Sequence, residues 1–237
     1  MAGRKDGEVT PEGRAHYFAV GESAMRSIRQ ILGDLVPLTI LDLPCGHGRV
    51  ARHLTARFPE AELFVADLNE DGARFCAAEL GAEALTSTPD FSALDFGRRF
   101  DLIWVGSLVT HLNAPATQAF LGFVARHLTD RGRAVVTAHG ALVAGRMMGR
   151  REAPRSLIRR RGSLYGISLP DTEGLCRDYF ATGYGYRNYP YADDYGVSIC
   201  TEPWMRAAAA AAGLETTSFV AHAWDNHQDV YGLALAA

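Results

Sequence analysis

A short apolar run leads into a glycine-rich turn in the stretch Thr39-Ile40-Leu41-Asp42-Leu43-Pro44-Cys45-Gly46-His47-Gly48-Arg49. An apolar run that stops at a proline and two glycines is typical of a buried parallel strand entering a tight turn. Helical periodicity resumes from Val50 to Phe58. At Gly46 and Gly48 the backbone can approach a ligand closely, beside the unpaired N–H groups of a helix amino terminus. The stretch therefore predicts a strand, a ligand-binding turn and a helix.

The same alternation of strand and helix continues along the chain. The pattern predicts further strands at residues 62–67, 83–88, 100–106 and 132–138, and helices at 15–35, 70–80, 114–128 and 202–212. Strands that alternate with helices predict a parallel sheet covered on both faces. Two last β-like segments, 215–221 and 230–236, are joined too closely for a parallel crossover, so they must be antiparallel. We therefore predict an α/β fold with a Rossmann-like, doubly wound sheet of seven strands, the last one antiparallel.

Composition sets the broad class of the protein. The 237 residues are 48% hydrophobic and 22% charged, which suits one α/β domain, and we expect it to span residues 15–237 after a flexible segment 1–14. The net charge of −3 gives no overall basic field for nucleic acid, and no apolar run is long enough to span a membrane. The cysteines have no paired spacing and are expected to be reduced thiols in a cytoplasmic protein.

The glycines alone do not identify the ligand, because Gly46-x-Gly48-x-x-Ala51 also satisfies a looser dinucleotide fingerprint. Asp42, at the end of the first strand, is more informative. A carboxylate there would receive a cationic amino group or cap the turn, and it would be a poor neighbour for a pyrophosphate. Asp67 ends the second strand and can accept both hydroxyls of a ribose.

These residues resemble the first motif of the class I S-adenosylmethionine-dependent methyltransferases, an apolar strand followed by Asp, any residue, Gly or Pro, Cys, Gly, any residue, Gly. The likeness extends to three further segments. They are the predicted fourth strand with the segment after it (100–112), the turn before the fifth strand (128–133) and the terminal antiparallel pair. The resemblance covers roughly residues 15–140 and 200–237. It implies S-adenosylmethionine as the cofactor.

The resemblance also implies roles for individual residues. Gly46 and Gly48 would pack against the methionine and ribose parts of the cofactor, and Asp67 would bind the ribose hydroxyls. Leu68 and Phe91 would contact the adenine. The implied cofactor-binding residues are Asp42, Cys45, Gly46, Gly48, Asp67, Leu68, Asp90, Phe91 and Ser107. Asp90 would meet the adenine amino group, although Thr88-Pro89-Asp90 also has the composition of a simple turn.

Two histidine-bearing segments are expected at the carboxyl ends of the strands, where ligands bind in open α/β sheets. His111 follows the fourth strand and is a candidate general base, or alternatively a helix cap. The second segment is Trp224-Asp225-Asn226-His227-Gln228-Asp229, where His227 with Asp225 or Asp229 would form a base and its orienting partner. Alternatively it is a polar hairpin turn anchored by Trp224. The spacing around His227 also allows metal binding, but we predict no metal.

The strand–helix rhythm breaks between residues 140 and 200, and we interpret this region as an irregular inserted lid that caps the substrate. Seven arginines between 146 and 161, Arg159 among them, suit an anionic acceptor such as a phosphorylated sugar, or else form a solvated helix face. Six tyrosines lie between 179 and 195. Tyr184 and Tyr186, with Trp224, are candidate substrate contacts, since tyrosine stacks on sugars and aromatic rings. Packing into a homodimer interface is the alternative.

The leading functional hypothesis is O-methylation of a small molecule, such as a sugar, a glycan precursor or a secondary metabolite, with a histidine base. A base matters most when the acceptor is a hydroxyl. N-methylation of a small amine is the main alternative. A nicotinamide-dependent oxidoreductase and a non-catalytic cofactor-binding scaffold are the alternatives from other classes.

Overall fold

The structure is a computed structural model that describes residues 10–149 and 165–237. The strands alternate with helices as the sequence pattern predicts. The strands are β1 (Thr39–Asp42), β2 (Glu62–Asp67), β3 (Glu83–Thr86), β4 (Phe100–Val105), β5 (Leu128–His139), β6 (Tyr184–Asn188), β7 (Gly196–Cys200), β8 (Leu214–Trp224) and β9 (Gln228–Leu235). The helices are α1 (Pro11–Leu32), α2 (Ala51–Arg57), α3 (Glu70–Leu80), α4 (Ala114–His127), α5 (Ala141–Gly149), α6 (Leu169–Thr182) and α7 (Glu202–Ala211). A 3-10 turn, Val109–His111, follows β4.

Seven strands form one sheet in the order β3-β2-β1-β4-β5-β9-β8. Strands β1 to β5 run parallel to one another, and β9 is antiparallel to both β5 and β8. The predicted Rossmann-like sheet with its antiparallel last strand is therefore confirmed. Because β1, β2 and β4 are adjacent and parallel, the residues that follow them meet at one edge of the sheet.

Helices cover both faces of the sheet. Because successive residues of a strand point to opposite sides, each strand contributes side chains to both buried faces. In β1, Ile40 packs with α1 and α2 residues on one face, while Leu41 packs with α4 residues on the other. Strand β4 divides in the same way, with Trp104 on the first face and Ile103 on the second. Hydrophobic residues at every position of these strands therefore fit a doubly covered sheet.

Helix α1 begins earlier than the sequence pattern predicted. Thr10 caps it by accepting a hydrogen bond from the Gly13 N–H, and Pro11 occupies its first turn. Residues 11–14, expected to belong to a flexible segment, are therefore helical, and residues 1–9 lie outside the described residues. No helix of the described residues is long and apolar enough to span a membrane.

The inserted region is not irregular over residues 165–200, which corrects the sequence-based expectation. Helix α6 and the β6–β7 hairpin are regular elements that share a small core with α5. The signals were present in the sequence: Ser168 caps α6 by accepting from the Asp171 N–H, Pro170 lies in the first turn, and Gly183 ends the helix with φ +84°. Residues 150–164, with Arg159 and most of the arginine run, lie outside the described residues.

Candidate active site

A cavity of about 440 Å³ opens at the carboxyl ends of β1, β2 and β4. Its walls come from the glycine-rich turn, the residues after β4, the end of β8 and one residue of α1. The lining residues are Tyr17, Asp42, Pro44, Cys45, Gly46, His47, Arg49, Val50, Asp67, Trp104, Gly106, Ser107 and Trp224. Five of these, Asp42, Cys45, Gly46, Asp67 and Ser107, were predicted as cofactor-binding residues, and the fold brings them together here.

Gly46 and Gly48 have different structural roles in the turn. Both have positive φ, +50° at Gly46 and +74° at Gly48, a conformation that glycine adopts without steric cost. A Cβ on Gly46 would meet no other atom within 4 Å, so this backbone borders open space. A Cβ on Gly48 would lie 3.0 Å from Leu80 and 3.1 Å from the Cys76 sulfur of α3. Gly46 therefore leaves room for a ligand, whereas Gly48 allows the turn to pack against α3.

Asp42 is a buried carboxylate that no charged group of the described residues neutralises, and the Ala51 N–H is the one favourable partner among them that acts on its pKa. Only 1% of the residue is exposed, and neither carboxylate oxygen has a partner at full hydrogen-bond geometry among the described residues. Burial, reinforced by Cys76 and Asp67, raises the pKa of this carboxyl well above its ordinary value. An unsatisfied buried acid is costly, and its cost falls if a ligand supplies a cation. The ammonium group of S-adenosylmethionine fits that requirement, so the residues present are suited to this cofactor.

Asp67 shapes the turn as well as the cavity. One carboxylate oxygen accepts from the Gly46 N–H at 2.8 Å, and the other accepts from the Asn69 N–H at 2.8 Å. Each oxygen keeps a further lone pair, so Asp67 can still accept from ribose hydroxyls. Cys45 is buried beside it, with its sulfur 3.4 Å from the Gly46 carbonyl oxygen.

Three predicted adenine contacts lie outside this cavity. Leu68 is 62% exposed beyond the end of β2. The Asp90 carboxylate accepts from the Ser92 N–H in an exposed turn, as the alternative interpretation of Thr88-Pro89-Asp90 expected. Phe91 is corrected to a core residue: it is buried and packs against Phe120, with ring centroids 5.1 Å apart.

His111 lies under the β6–β7 hairpin. Its Nδ1 is 2.9 Å from the Gly196 carbonyl oxygen and 3.1 Å from the Tyr189 hydroxyl, and its ring stacks on Tyr195 at 4.9 Å. A carbonyl oxygen only accepts, so Nδ1 carries the proton and Nε2 carries the lone pair. Burial lowers the pKa of His111 and favours the neutral ring. The ring is therefore in the tautomer that a general base requires at Nε2.

His227 lies in the turn between β8 and β9. Its Nδ1 is 2.8 Å from the backbone carbonyl oxygen of Asp225, whereas the Asp225 carboxylate is 3.8 Å away. The expected pairing of His227 with Asp225 therefore occurs chiefly through the backbone. Trp224 anchors this turn, since its Nε1 donates to the Val20 carbonyl oxygen and its ring packs on Trp104 at 5.4 Å.

The structure adds a third histidine that sequence reasoning missed. His139 ends β5, with Nδ1 3.3 Å from the Ser198 carbonyl oxygen and its ring 6.0 Å from that of His227. Burial, with the neighbouring His227 and His111, lowers the pKa of His139 to about 3. The signal was its position at the carboxyl end of a strand beside β4. Among the described residues, no group of three or more His, Cys, Asp or Glu side chains is arranged to hold a metal ion.

The tyrosines of the inserted region divide into core and surface residues. Tyr184 is corrected from a substrate contact to a core residue: it is buried, and its hydroxyl donates to the Leu112 carbonyl oxygen at 2.7 Å. Burial raises the pKa of Tyr184 to about 12. Tyr186 is half-buried, and its hydroxyl donates to the Asn188 side chain at 2.6 Å. Tyr195 stacks on His111, and burial together with Tyr191 and Asp67 raises the pKa of its hydroxyl.

Sequence reasoning also missed Tyr17 of α1, which lines the cavity. Its hydroxyl donates to the His47 carbonyl oxygen at 3.3 Å, and the Arg49 guanidinium lies over its ring, 5.2 Å from the centroid. The helical pattern of α1 marks only the residues that face the core, and Tyr17 lies off that face. Only the fold brings it to the turn, 30 residues away along the chain.

Comparisons with known proteins indicate a methyltransferase fold. Residues 40–132 match a family described as a methyltransferase domain. None of the curated proteins matches the chain. An S-adenosylmethionine-dependent methyltransferase from Clostridium acetobutylicum is similar in structure, with a TM-score of 0.62, 14% identity, and coverage of 93% of this chain and 92% of that one.

Two further similar structures have named acceptors. One is the 1,6-didemethyltoxoflavin-N1-methyltransferase of Burkholderia thailandensis, with a TM-score of 0.61, 17% identity, and coverage of 97% of this chain and 84% of that one. The other is the glycopeptide N-methyltransferase MtfA, with a TM-score of 0.57, 13% identity, and coverage of 95% and 98%. At these identities the likeness establishes the fold. The match to a methyltransferase domain covers residues 40–132, and the fold of the chain is that of S-adenosylmethionine-dependent methyltransferases.

Proposed function

We propose that this chain is an S-adenosylmethionine-dependent methyltransferase that acts on a hydroxyl group of a small molecule, with His111 as the general base. The observation that carries the proposal is the hydrogen bond between His111 Nδ1 and the Gly196 carbonyl oxygen, which leaves the Nε2 lone pair available. Burial lowers the pKa of the ring, so it is neutral at physiological pH and able to take a proton. A hydroxyl must lose its proton as it is methylated, whereas an amine can lose one to solvent.

When bound, S-adenosylmethionine supplies an electrophilic methyl group on a positively charged sulfur. What remains for the chain is to hold the acceptor in line and to remove its proton. His111 lies in the turn after β4, and the Thr110 hydroxyl of the same turn donates to the carbonyl oxygen of Ser107, which lines the cofactor cavity. This position supports a role for His111 beside the cofactor. His227, with its Nδ1 bound in the same manner, is the second candidate for the base.

The surroundings of His111 support an acceptor with a flat face. Tyr189 and Tyr195 surround the imidazole with aromatic rings, and such rings stack on sugars and on other aromatic molecules. We propose the inserted region, residues 140–200, as the cap over this acceptor. An anionic acceptor bound by Arg159 and its neighbours, a homodimer and a cytoplasmic location remain part of the proposal.

N-methylation is the second candidate. The named acceptors of two similar structures favour it, because both are described as N-methyltransferases. The two candidates differ in the need for a base. Methylation of an amine would depend weakly on His111, whereas methylation of a hydroxyl would depend on it strongly.

The test identifies the atom that is methylated. The enzyme is incubated with S-adenosylmethionine carrying ¹³C in its methyl group and with a small-molecule extract of the cells that express it. The ¹³C chemical shift of the product distinguishes a methyl on oxygen from one on nitrogen. A methyl on oxygen supports the proposal. A methyl on nitrogen, or no methylated small molecule, contradicts it.

Variants then test the base on the acceptor so obtained. Asparagine at position 111 can still donate to the Gly196 carbonyl oxygen but has no basic nitrogen. We expect His111→Asn to lower kcat by about 10²- to 10⁴-fold and to leave the affinity for S-adenosylhomocysteine unchanged. His222→Asn is the control, since its ring is 42% exposed. If His227→Asn loses activity and His111→Asn does not, the base is His227.

A further inference from the structure

Two buried side chains, Thr137 and Gln228, and the half-buried Ser107 form a closed ring of hydrogen bonds beside the cofactor cavity. The Ser107 N–H donates to the Thr137 hydroxyl oxygen at 2.8 Å, and the Thr137 hydroxyl donates to Gln228 Oε1 at 2.6 Å. Gln228 Nε2 then donates to the Ser107 hydroxyl oxygen at 2.7 Å. Thr137 is 0% exposed and Gln228 is 3% exposed. The ring joins residues that are up to 121 positions apart, one after β4, one in β5 and one at the start of β9.

The hydrogen bonds of this ring all run in one direction. The Thr137 oxygen accepts from the Ser107 N–H, and its hydroxyl donates to Gln228 Oε1. The NH₂ end of Gln228 therefore faces Ser107. Because the Ser107 oxygen already accepts a hydrogen bond from Gln228, its own proton must point elsewhere.

Two directions remain for the Ser107 proton. The Thr110 hydroxyl oxygen can accept it, because the Thr110 proton goes to the Ser107 carbonyl oxygen at 2.6 Å, but the distance of 3.4 Å is long for an O–H···O hydrogen bond. The other direction is the cofactor cavity, which Ser107 lines. Ser107 also has φ +64°, which a glycine would adopt without steric cost. A serine at this strained position therefore supplies a hydroxyl that glycine lacks, and the ring of hydrogen bonds orients that hydroxyl.

The sheet order indicates which end of the cofactor lies there. Asp67, the expected ribose ligand, ends β2, Asp42 ends β1, and Ser107 follows β4. Since β1 lies between β2 and β4, the ribose and Ser107 are on opposite sides of Asp42. The amino-acid end therefore extends toward Ser107. Of its two charged groups, only the carboxylate can accept from a hydroxyl, while the ammonium suits Asp42.

We propose that Gln228 is a positioning residue for cofactor binding, which turns the Ser107 hydroxyl so that its proton meets the carboxylate of S-adenosylmethionine. The role depends on the cofactor alone. Failure of the proposed O-methylation would leave it intact, and failure of this role would leave the proposed acceptor chemistry intact.

Gln228→Glu is the decisive substitution because it keeps the shape of the side chain. An ionised Glu cannot donate to Ser107. The Ser107 hydroxyl would instead donate to Glu and turn away from the cavity. A protonated Glu can donate as Gln does. We therefore expect the variant to bind S-adenosylhomocysteine as the wild type does at low pH. At about pH 9 its affinity should be about threefold to tenfold lower, because one hydrogen bond to the ligand is lost.

Calorimetry with S-adenosylhomocysteine on the full chain tests this role. Ser107→Ala should show the same threefold to tenfold loss at every pH. The double variant should match Ser107→Ala, because Gln228 acts only through Ser107. With 5′-methylthioadenosine, which lacks the amino-acid end, all variants should bind as the wild type does. Gln118→Glu is the matched control, since Gln118 bonds to the Ala208 carbonyl oxygen away from the cavity.

Four results would overturn the proposal. Two of them are normal affinity of Ser107→Ala for S-adenosylhomocysteine and normal affinity of Gln228→Glu for it at about pH 9. The third is a loss of affinity in the double variant that is the product of the two single losses. The fourth is an equal loss of affinity for 5′-methylthioadenosine. If Gln228→Glu does not fold, Ser107→Ala with the two ligands still decides the outcome.

Discussion

Replacing Asp42 by asparagine should weaken cofactor binding without weakening the fold. Neither carboxylate oxygen has a partner at full hydrogen-bond geometry among the described residues, and the Ala51 N–H that interacts with the carboxylate can donate to the asparagine oxygen as well. It removes the negative charge that would meet the ammonium of the cofactor. Leaving one member of a buried charge pair without its partner costs about 2–5 kcal/mol. This corresponds to a loss of affinity of about 30-fold to several thousandfold.

The stability of the cofactor-free protein should move in the opposite direction. Burial, with Cys76 and Asp67, raises the pKa of Asp42, so folding favours its protonated form. The contribution of such a group to stability is fully present below the pKa of the unfolded chain, about 4, and is lost as the pH rises toward the folded value. Asparagine does not titrate. We therefore expect Asp42→Asn to gain stability over the wild type as the pH rises above about 4.

Asp101→Asn is the matched control. The Asp101 carboxylate accepts from the Leu38 and Thr39 N–H groups and from the Thr129 hydroxyl. Burial alone would raise the pKa of Asp101, but these hydrogen bonds outweigh it and lower the pKa. Its replacement should lower the melting temperature and leave cofactor affinity unchanged.

Calorimetry with S-adenosylhomocysteine and thermal unfolding of the cofactor-free protein measure both effects. If Asp42→Asn binds within a few-fold of the wild type, the carboxylate does not hold the ammonium. A fall in melting temperature as large as that of Asp101→Asn would mean that Asp42 is instead a structural acid.

Three further predictions follow from the packing and the pKa shifts. Gly72→Ala should lower both the melting temperature and the affinity for S-adenosylhomocysteine, because a Cβ there would come within 2.3 Å of the Gly46 carbonyl oxygen, whereas Gly145→Ala, with no atom within 4 Å, should do neither. Tyr184→Phe should lower the free energy of unfolding by about 1 kcal/mol without changing KM, because its hydroxyl donates to the Leu112 carbonyl oxygen. A raised KM would mean that Tyr184 contacts the substrate. Because burial lowers the pKa of His111, kcat should fall on the acid side with an apparent pKa below about 6.5; a midpoint above that value would exclude this base.

The fold and the cofactor turn could be predicted because their signals are local. The apolar run before Asp42, the positive-φ glycines and the short β8–β9 link each depend on neighbouring residues. The secondary structure of residues 165–200 was mispredicted for a different reason. The Ser168 cap and Gly183 mark a helix, but the interpretation of the region rested on its tyrosines and arginines, and these carry little information about secondary structure.

The acceptor side of the site was harder to predict because its contacts are long-range. Gly196, which binds His111, lies 85 residues away, and Ser198 lies 59 residues from His139. A tyrosine that stacks on a ligand and one that fills a core have the same sequence signature. Tyr184 and Tyr195 were distinguished only when the fold placed one against Leu112 and the other against His111.

The central claim is that the turn at Gly46 and Gly48 binds S-adenosylmethionine and not a dinucleotide. Calorimetric titration of the cofactor-free protein with S-adenosylhomocysteine and, separately, with NADH tests it most directly. We predict saturable binding of one S-adenosylhomocysteine per chain and no heat with NADH. Binding of NADH without binding of S-adenosylhomocysteine would contradict the account.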